Sequence, residues 1–76
     1  MSGLKKISGK ECLKILCNKF GFRIVRQKGS HVLIKKETLG RKIGTVIPMH
    51  EELKTGTLKA ILRQAQIPEE EFERFY

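Results

Sequence analysis

The 76-residue chain has no tryptophan, one tyrosine, two cysteines and two histidines. The cysteines, Cys12 and Cys17, lie five residues apart in a segment with helical spacing of apolar residues, so they point away from each other and cannot form a disulfide within the chain. We expect buried free thiols, which suit a reducing cytoplasm. Neither His31 nor His50 has a cysteine at ligand spacing. The sequence therefore predicts neither a metal site nor a cofactor.

Long apolar runs are also missing from the chain. No segment has the length of a signal peptide or a membrane helix, which predicts a cytoplasmic protein without a membrane partner. A chain of this length forms one small domain, assigned here to residues 1–76. Such a domain buries only about 60% of the surface that its unfolded chain exposes, so we expect a shallow, open site.

Acidic residues are scarce in most of the chain. Sixteen Lys and Arg residues against eight Asp and Glu residues give a net charge of +8. Four of the acids lie together after Pro68, so residues 1–68 carry fifteen cations, four anions and a net charge of +11. A surface of this sign favours polyanions, with nucleic acid as the first partner to consider. An acidic protein is the second partner to consider. The third possibility is that the cationic face only contacts solvent.

Local signals divide the chain into helices and strands. Residues 8–11 (SGKE) match a capping box, and the apolar spacing that follows predicts a helix ended by Gly21. Residues 22–28, 31–37 and 42–47 are rich in strand-forming residues, with reversals at Gly29-Ser30 and at Leu39-Gly40-Arg41. Pro48 ends the third strand because it has no amide to donate.

Two further helices follow the strands. Leu58, Ile61, Leu62 and Ala65 recur at amphipathic spacing, which predicts a helix over 55–66. Pro68 and the three glutamates after it are typical of the first turn of a short third helix. The order predicts an α+β domain with its helices on one face of a three-stranded antiparallel sheet.

His31 is the strongest candidate for chemistry, because an imidazole can take and return a proton near neutral pH. Cleaving RNA without a metal needs both transfers, one from the 2′-hydroxyl and one to the 5′-oxygen. Gly29 allows the backbone to turn close to a phosphate, and Ser30 offers a hydroxyl and an amide to its oxygens. The alternative is a polar residue that merely begins a strand. His50 is the other titratable candidate; we interpret it as a loop residue that anchors the backbone, and the alternative is a second acid or base.

Cations near His31 in the sequence are candidates for holding phosphate: Arg26, Lys28 and Lys35. Phe22 is the only aromatic residue near the strands, which argues against reading single strands by base stacking. We therefore expect contacts mainly to the RNA backbone and its 2′-hydroxyls.

Several motifs in order carry a resemblance to a known family. They are residues 8–11 (SGKE), 26–31 (RQKGSH), 46–50 (VIPMH), 53–58 (LKTGTL) and 61–65 (ILRQA). With them the chain resembles the HicA-type toxins of the YcfA-like family, small mRNA interferases with a fold like that of double-stranded-RNA-binding domains. The resemblance covers nearly the whole chain. It departs at Val32, where many relatives have a second histidine, and at Thr55, where they often have proline.

The resemblance implies a metal-independent endoribonuclease that cleaves single-stranded mRNA as the toxin of a type II toxin–antitoxin system, within an α-β-β-β-α domain. It makes His31 the catalytic residue and a HicB-type antitoxin the protein partner. The segment after Pro68 receives no role from it. The alternative from a different class is a non-catalytic, basic RNA-binding module, and a third is a basic adaptor held by an acidic protein.

Overall fold

The computed structural model describes residues 6–76 and has the predicted order of elements. A helix is followed by three strands and two further helices. Their bounds are α1 Gly9–Lys19, β1 Arg23–Lys28, β2 His31–Thr38, β3 Arg41–Pro48, α2 Thr55–Gln64 and α3 Glu69–Glu73. The strands form one antiparallel sheet in the order β1-β2-β3. This is the α-β-β-β-α arrangement expected from the sequence, with a short C-terminal helix added.

Both ends of α1 follow the local signals. The Ser8 hydroxyl accepts a hydrogen bond of 3.0 Å from the Glu11 amide, and the Glu11 carboxylate turns back to lie 3.5 Å from that hydroxyl. At the other end Gly21 has φ +79°, a conformation that glycine adopts without steric cost. The capping box and the glycine stop are confirmed.

Two tight turns join the strands. In the first, Gly29 has φ +59° and leads into Ser30, a pattern typical of a type II′ hairpin. In the second, Leu39 and Gly40 both have positive φ (50° and 74°), as a two-residue type I′ turn requires. Arg41, which was predicted to lie in this reversal, pairs with Thr38 and is the first residue of β3.

The hydrophobic core lies between one face of the sheet and the helices. Alternate residues of β2 and β3 point into it: Val32, Ile34, Ile43, Thr45 and Ile47. They pack with the apolar residues of α1 and α2, among them Cys12, Leu16, Leu58, Ile61 and Leu62. Every residue of β1 is exposed, because β1 lies at the sheet edge and α1 and α2 contact β3. The helices therefore lie on one face, as predicted.

The last two helices differ in detail from the prediction. Helix α2 ends at Gln64, two residues early, because Gln66 takes φ +59° and leaves the helical path. Pro68 is the N-cap of α3 and not its first helical residue. The Phe72 side chain of α3 is fully buried in the core. The Phe72 ring thus fastens the C-terminal segment to the body.

Candidate active site

His31 lies at the start of β2 on the face of the sheet that points away from the helices. Val32 and Ile34 point into the core, so alternation along the strand places His31 and Leu33 on the opposite side. We call this side the outer face. His31 is exposed there. An imidazole in this position is open to both water and a large substrate.

Cross-strand pairing arranges the outer face in rows of three residues. The first row is Lys28, His31 and Pro48, the second is Arg26, Leu33 and Val46, and the third is Arg23, Lys35 and Gly44. Directly paired residues stand on the same face of a sheet. The tertiary structure therefore places a lysine beside His31 and an arginine one row away.

A shallow depression of about 200 Å³ lies at His31. Its lining residues are Arg26, Lys28, His31, Leu33 and Val46. Two predicted phosphate-binding residues thus join the histidine. Leu33 and Val46 were not singled out from the sequence. Leu33 could have been identified because it lies two residues after His31 and therefore on the same face of β2. Val46 could have been identified because it pairs with Leu33 when residues are paired outward from the turn at Gly40.

Lys35 lies on the outer face but not in this depression. It is four residues beyond His31 along β2, or about 13 Å at the usual rise of a strand. There it lines a second depression of about 210 Å³ together with Arg23 and Lys42. A Cβ added at Gly44 would lie 3.3 Å from Cγ of Lys35, so the lysine stem packs against the bare glycine. Lys35 therefore lies farther from the imidazole, in a depression that Glu37 also lines.

Gly29 and Ser30 lie in the hairpin loop directly before His31. Geometry of the turn alone accounts for the glycine, since the first position of a type II′ turn needs positive φ. The Ser30 carbonyl accepts a 2.6 Å hydrogen bond from the Met49 amide, which ties the loop to the end of β3. This contact fixes the loop beside the row that contains His31.

The segment after β3 is also held by α1. Gly9 donates its amide to the His50 carbonyl at 2.9 Å. The His50 side chain is exposed, and its backbone carbonyl provides the predicted anchor. Pro48 pairs with His31, and the start of α1 holds the segment that follows Pro48. The start of α1 therefore helps to fix the position of His31.

The cysteines take no part in this site. Burial raises the pKa of the Cys12 thiol to about 12, and burial also raises the pKa of Cys17. A thiol that keeps its proton is a poor nucleophile. Both cysteines are free, as predicted, but only Cys12 is buried and Cys17 is half-buried. Across residues 6–76, no three His, Cys, Asp or Glu side chains gather at a spacing that could hold a metal ion.

No helix within residues 6–76 has both the length and the apolar character needed to cross a membrane. Among known families, the model of the HicA toxin of bacterial toxin–antitoxin systems matches residues 9–67. The matched range includes the outer face and both histidines and ends before α3. No curated protein and no solved structure gives a significant match to the chain.

Proposed function

The chain belongs to the HicA toxin family of bacterial toxin–antitoxin systems, and from this premise we propose that it is a metal-independent endoribonuclease, an mRNA interferase, with His31 as its acid–base residue. One observation carries the proposal: the exposed His31 lies beside Lys28, in a depression that also contains Arg26. This juxtaposition of an imidazole with two cations suits a ribose-phosphate. The substrate we propose is single-stranded mRNA in the cytoplasm.

In the proposed reaction, neutral His31 takes the proton of a 2′-hydroxyl as its oxygen attacks the adjacent phosphorus. The bond from phosphorus to the 5′-oxygen breaks, and the imidazolium returns the proton to that oxygen. The products are a 2′,3′-cyclic phosphate and a 5′-hydroxyl, and the histidine ends in its starting state. Arg26 and Lys28 stabilise the charge that develops on the phosphorane. Gly29, Ser30 and Lys35 are proposed to bind further phosphates.

We also propose a HicB-type antitoxin as the protein partner. Family membership implies a partner of the antitoxin class. A small cationic surface with an open site is blocked by a protein that lays carboxylates over it. The outer face is the surface that meets this description, because it combines His31 with the cations of β1. Binding there would inhibit cleavage by excluding RNA.

The test compares His31→Gln with His50→Gln, which removes the other exposed histidine. A positioned acid–base group contributes about 10² to 10⁴ in rate, so His31→Gln should lower the cleavage rate of single-stranded RNA by at least the smaller factor. Its RNA affinity should stay near that of the wild type. His50→Gln should cleave normally, and a chelator should leave the rate unchanged.

Two results would contradict the proposal. Cleavage by His31→Gln at the wild-type rate would make the histidine structural. If the wild type binds RNA stably but forms no product on a denaturing gel, the chain is a non-catalytic RNA-binding module. Mass analysis of the cleaved ends checks the chemistry, because hydrolysis at the 3′-oxygen would not leave a cyclic phosphate.

A further inference from the structure

Two apolar side chains form the floor of the depression at His31. Leu33 and Val46 are paired directly across β2 and β3 and stand together on the outer face. Val46 is 43% exposed, and Leu33 is half-buried. Neither belongs to the core, which lies on the other side of the sheet. The outer face of an antiparallel sheet usually carries polar residues, so packing in the core does not explain this apolar pair.

The surroundings of this floor limit what can occupy it. Of the five described residues that line the depression, none is acidic, and Arg26 and Lys28 flank the apolar pair. Its volume of about 200 Å³ is smaller than the roughly 300 to 1,000 Å³ of sites for whole small molecules. A single flat ring system with an anionic group attached matches this size, this apolar floor and this charge.

We propose that Leu33 and Val46 form a platform for one nucleobase of the RNA, next to the phosphate held at His31. This inference rests on the proposed function. A nucleotide combines an apolar ring face with a phosphate, which matches an aliphatic floor flanked by cations. Leu33 is two residues from His31, about 7 Å along the strand, so one short stretch of RNA spans the platform and the imidazole.

The platform makes binding depend on the presence of a base but only weakly on its identity. Every base offers a ring face, and the floor has no hydrogen-bonding side chain to distinguish base edges. Purines bury more apolar area than pyrimidines, so a modest preference for purines follows. This contact differs from the backbone contacts expected from the scarcity of aromatic residues, because aliphatic side chains replace aromatic ones beneath the base.

The experiment compares two oligomers with the same 2′-O-methyl ribose-phosphate backbone, one with bases and one abasic. The 2′-O-methyl group blocks attack by the 2′-oxygen, so equilibrium affinities are measured with the intact chain. We expect wild type to bind the oligomer with bases about tenfold more tightly than the abasic oligomer. Val46→Thr exchanges one methyl group for a hydroxyl and should weaken binding of the base-containing oligomer about threefold. It should not change binding of the abasic oligomer.

Ile24→Thr is the matched control. Ile24 has a similar exposure of 54%, but it pairs with Ile34 and lines neither the depression at His31 nor the one at Lys35. Its substitution should change neither affinity. A stronger variant, Val46→Lys, separates base contact from simple charge. It should weaken binding of the oligomer with bases and tighten binding of the abasic one, whereas a purely electrostatic face would bind both more tightly.

Equal wild-type affinities for the two oligomers would overturn the platform, and so would tighter binding of both by Val46→Lys. A loss of antitoxin binding in Val46→Thr, with both RNA affinities unchanged, would assign the pair to a protein interface and also overturn it. Retained binding of the abasic oligomer shows that each variant is folded. Cleavage of unmodified RNA by wild type is scored separately, so the proposed function and the platform can fail independently.

Discussion

Gly9→Ala tests whether the start of α1 and the end of β3 pack as closely as the structure indicates. Gly9 is the first residue of α1 and is buried. A Cβ at this position would collide with the Pro48 carbonyl and would lie 3.0 Å from the Met49 Cα. The Gly9 amide also donates to the His50 carbonyl at 2.9 Å. Because all these groups are backbone, no side-chain rotation relieves the collision.

The expected loss of stability follows from three contributions. Overpacking costs about 1 to 3 kcal/mol, and weakening the hydrogen bond to His50 costs up to about 1 kcal/mol. Alanine restricts the unfolded chain and returns about 0.4 to 1 kcal/mol. The free energy of unfolding of Gly9→Ala should therefore fall by about 2 kcal/mol, within limits of about 0 and 3.6 kcal/mol, and each kcal/mol lowers Tm by roughly 4 to 8 °C.

Gly56→Ala is the matched control within the same chain. Gly56 lies in the first turn of α2, and a Cβ there would have no neighbour within 4 Å. This variant should gain about 0.4 to 1 kcal/mol. Urea unfolding followed by circular dichroism measures both variants. Since Pro48 pairs with His31, RNA cleavage well below Tm should fall in Gly9→Ala and not in Gly56→Ala.

A urea midpoint of Gly9→Ala at or above that of wild type would refute this reasoning. A shift of both alanine variants in the same direction would refute it too. The first result would mean that the end of β3 yields easily to α1, and a loss in both variants would mean that the effect at Gly9 does not come from that contact. The contact between α1 and the end of β3 would then contribute no free energy to holding the row of Lys28, His31 and Pro48 in place.

Three further predictions concern the partner, a thiol and the C-terminal helix. Antitoxin binding should protect His31 from diethylpyrocarbonate and leave His50 more reactive; equal protection of both would place the interface elsewhere. Burial raises the pKa of Cys12 to about 12 from 9.0, so above pH 9 the unfolded state loses a proton that the folded state keeps. The free energy of unfolding, relative to Cys12→Ala, should thus be constant below pH 9 and fall by about 1.4 kcal/mol per pH unit above it, as urea titrations can measure. Phe72→Ala leaves a cavity at a fully buried position, so the free energy of unfolding measured in urea should fall by about 3 to 5 kcal/mol. A fall below about 1 kcal/mol, as expected for a surface substitution, would show that the stability of the domain does not depend on α3.

The secondary structure was largely predictable because its signals are local. The capping box at Ser8, the positive-φ glycines and the apolar spacing of α2 each act within a few residues. Strand β1 was harder to read. Its pairing with β2 shifts register between Ile24 and Arg26, and this irregularity breaks the alternation that identifies a strand.

The candidate site was predictable only in part. His31, Lys28 and Arg26 are close in sequence, and a single hairpin brings them together. Lys35 belongs to the same strand, and sequence proximity suggested a place near His31. The regular rise of the strand instead carries it to the second depression.

The sequence by itself determined the order of the elements, the cationic character of the body and the place of His31 at the start of β2, since these follow from local backbone preferences and charge. Only the tertiary structure decided which side chains from β3 share the outer face with that histidine. Val46 and Pro48 reach it through the register of β2 and β3, which depends on a two-residue turn far from the site. Adding or removing one residue in that turn would shift the register and move every β3 side chain to the opposite face, because side chains alternate along a strand.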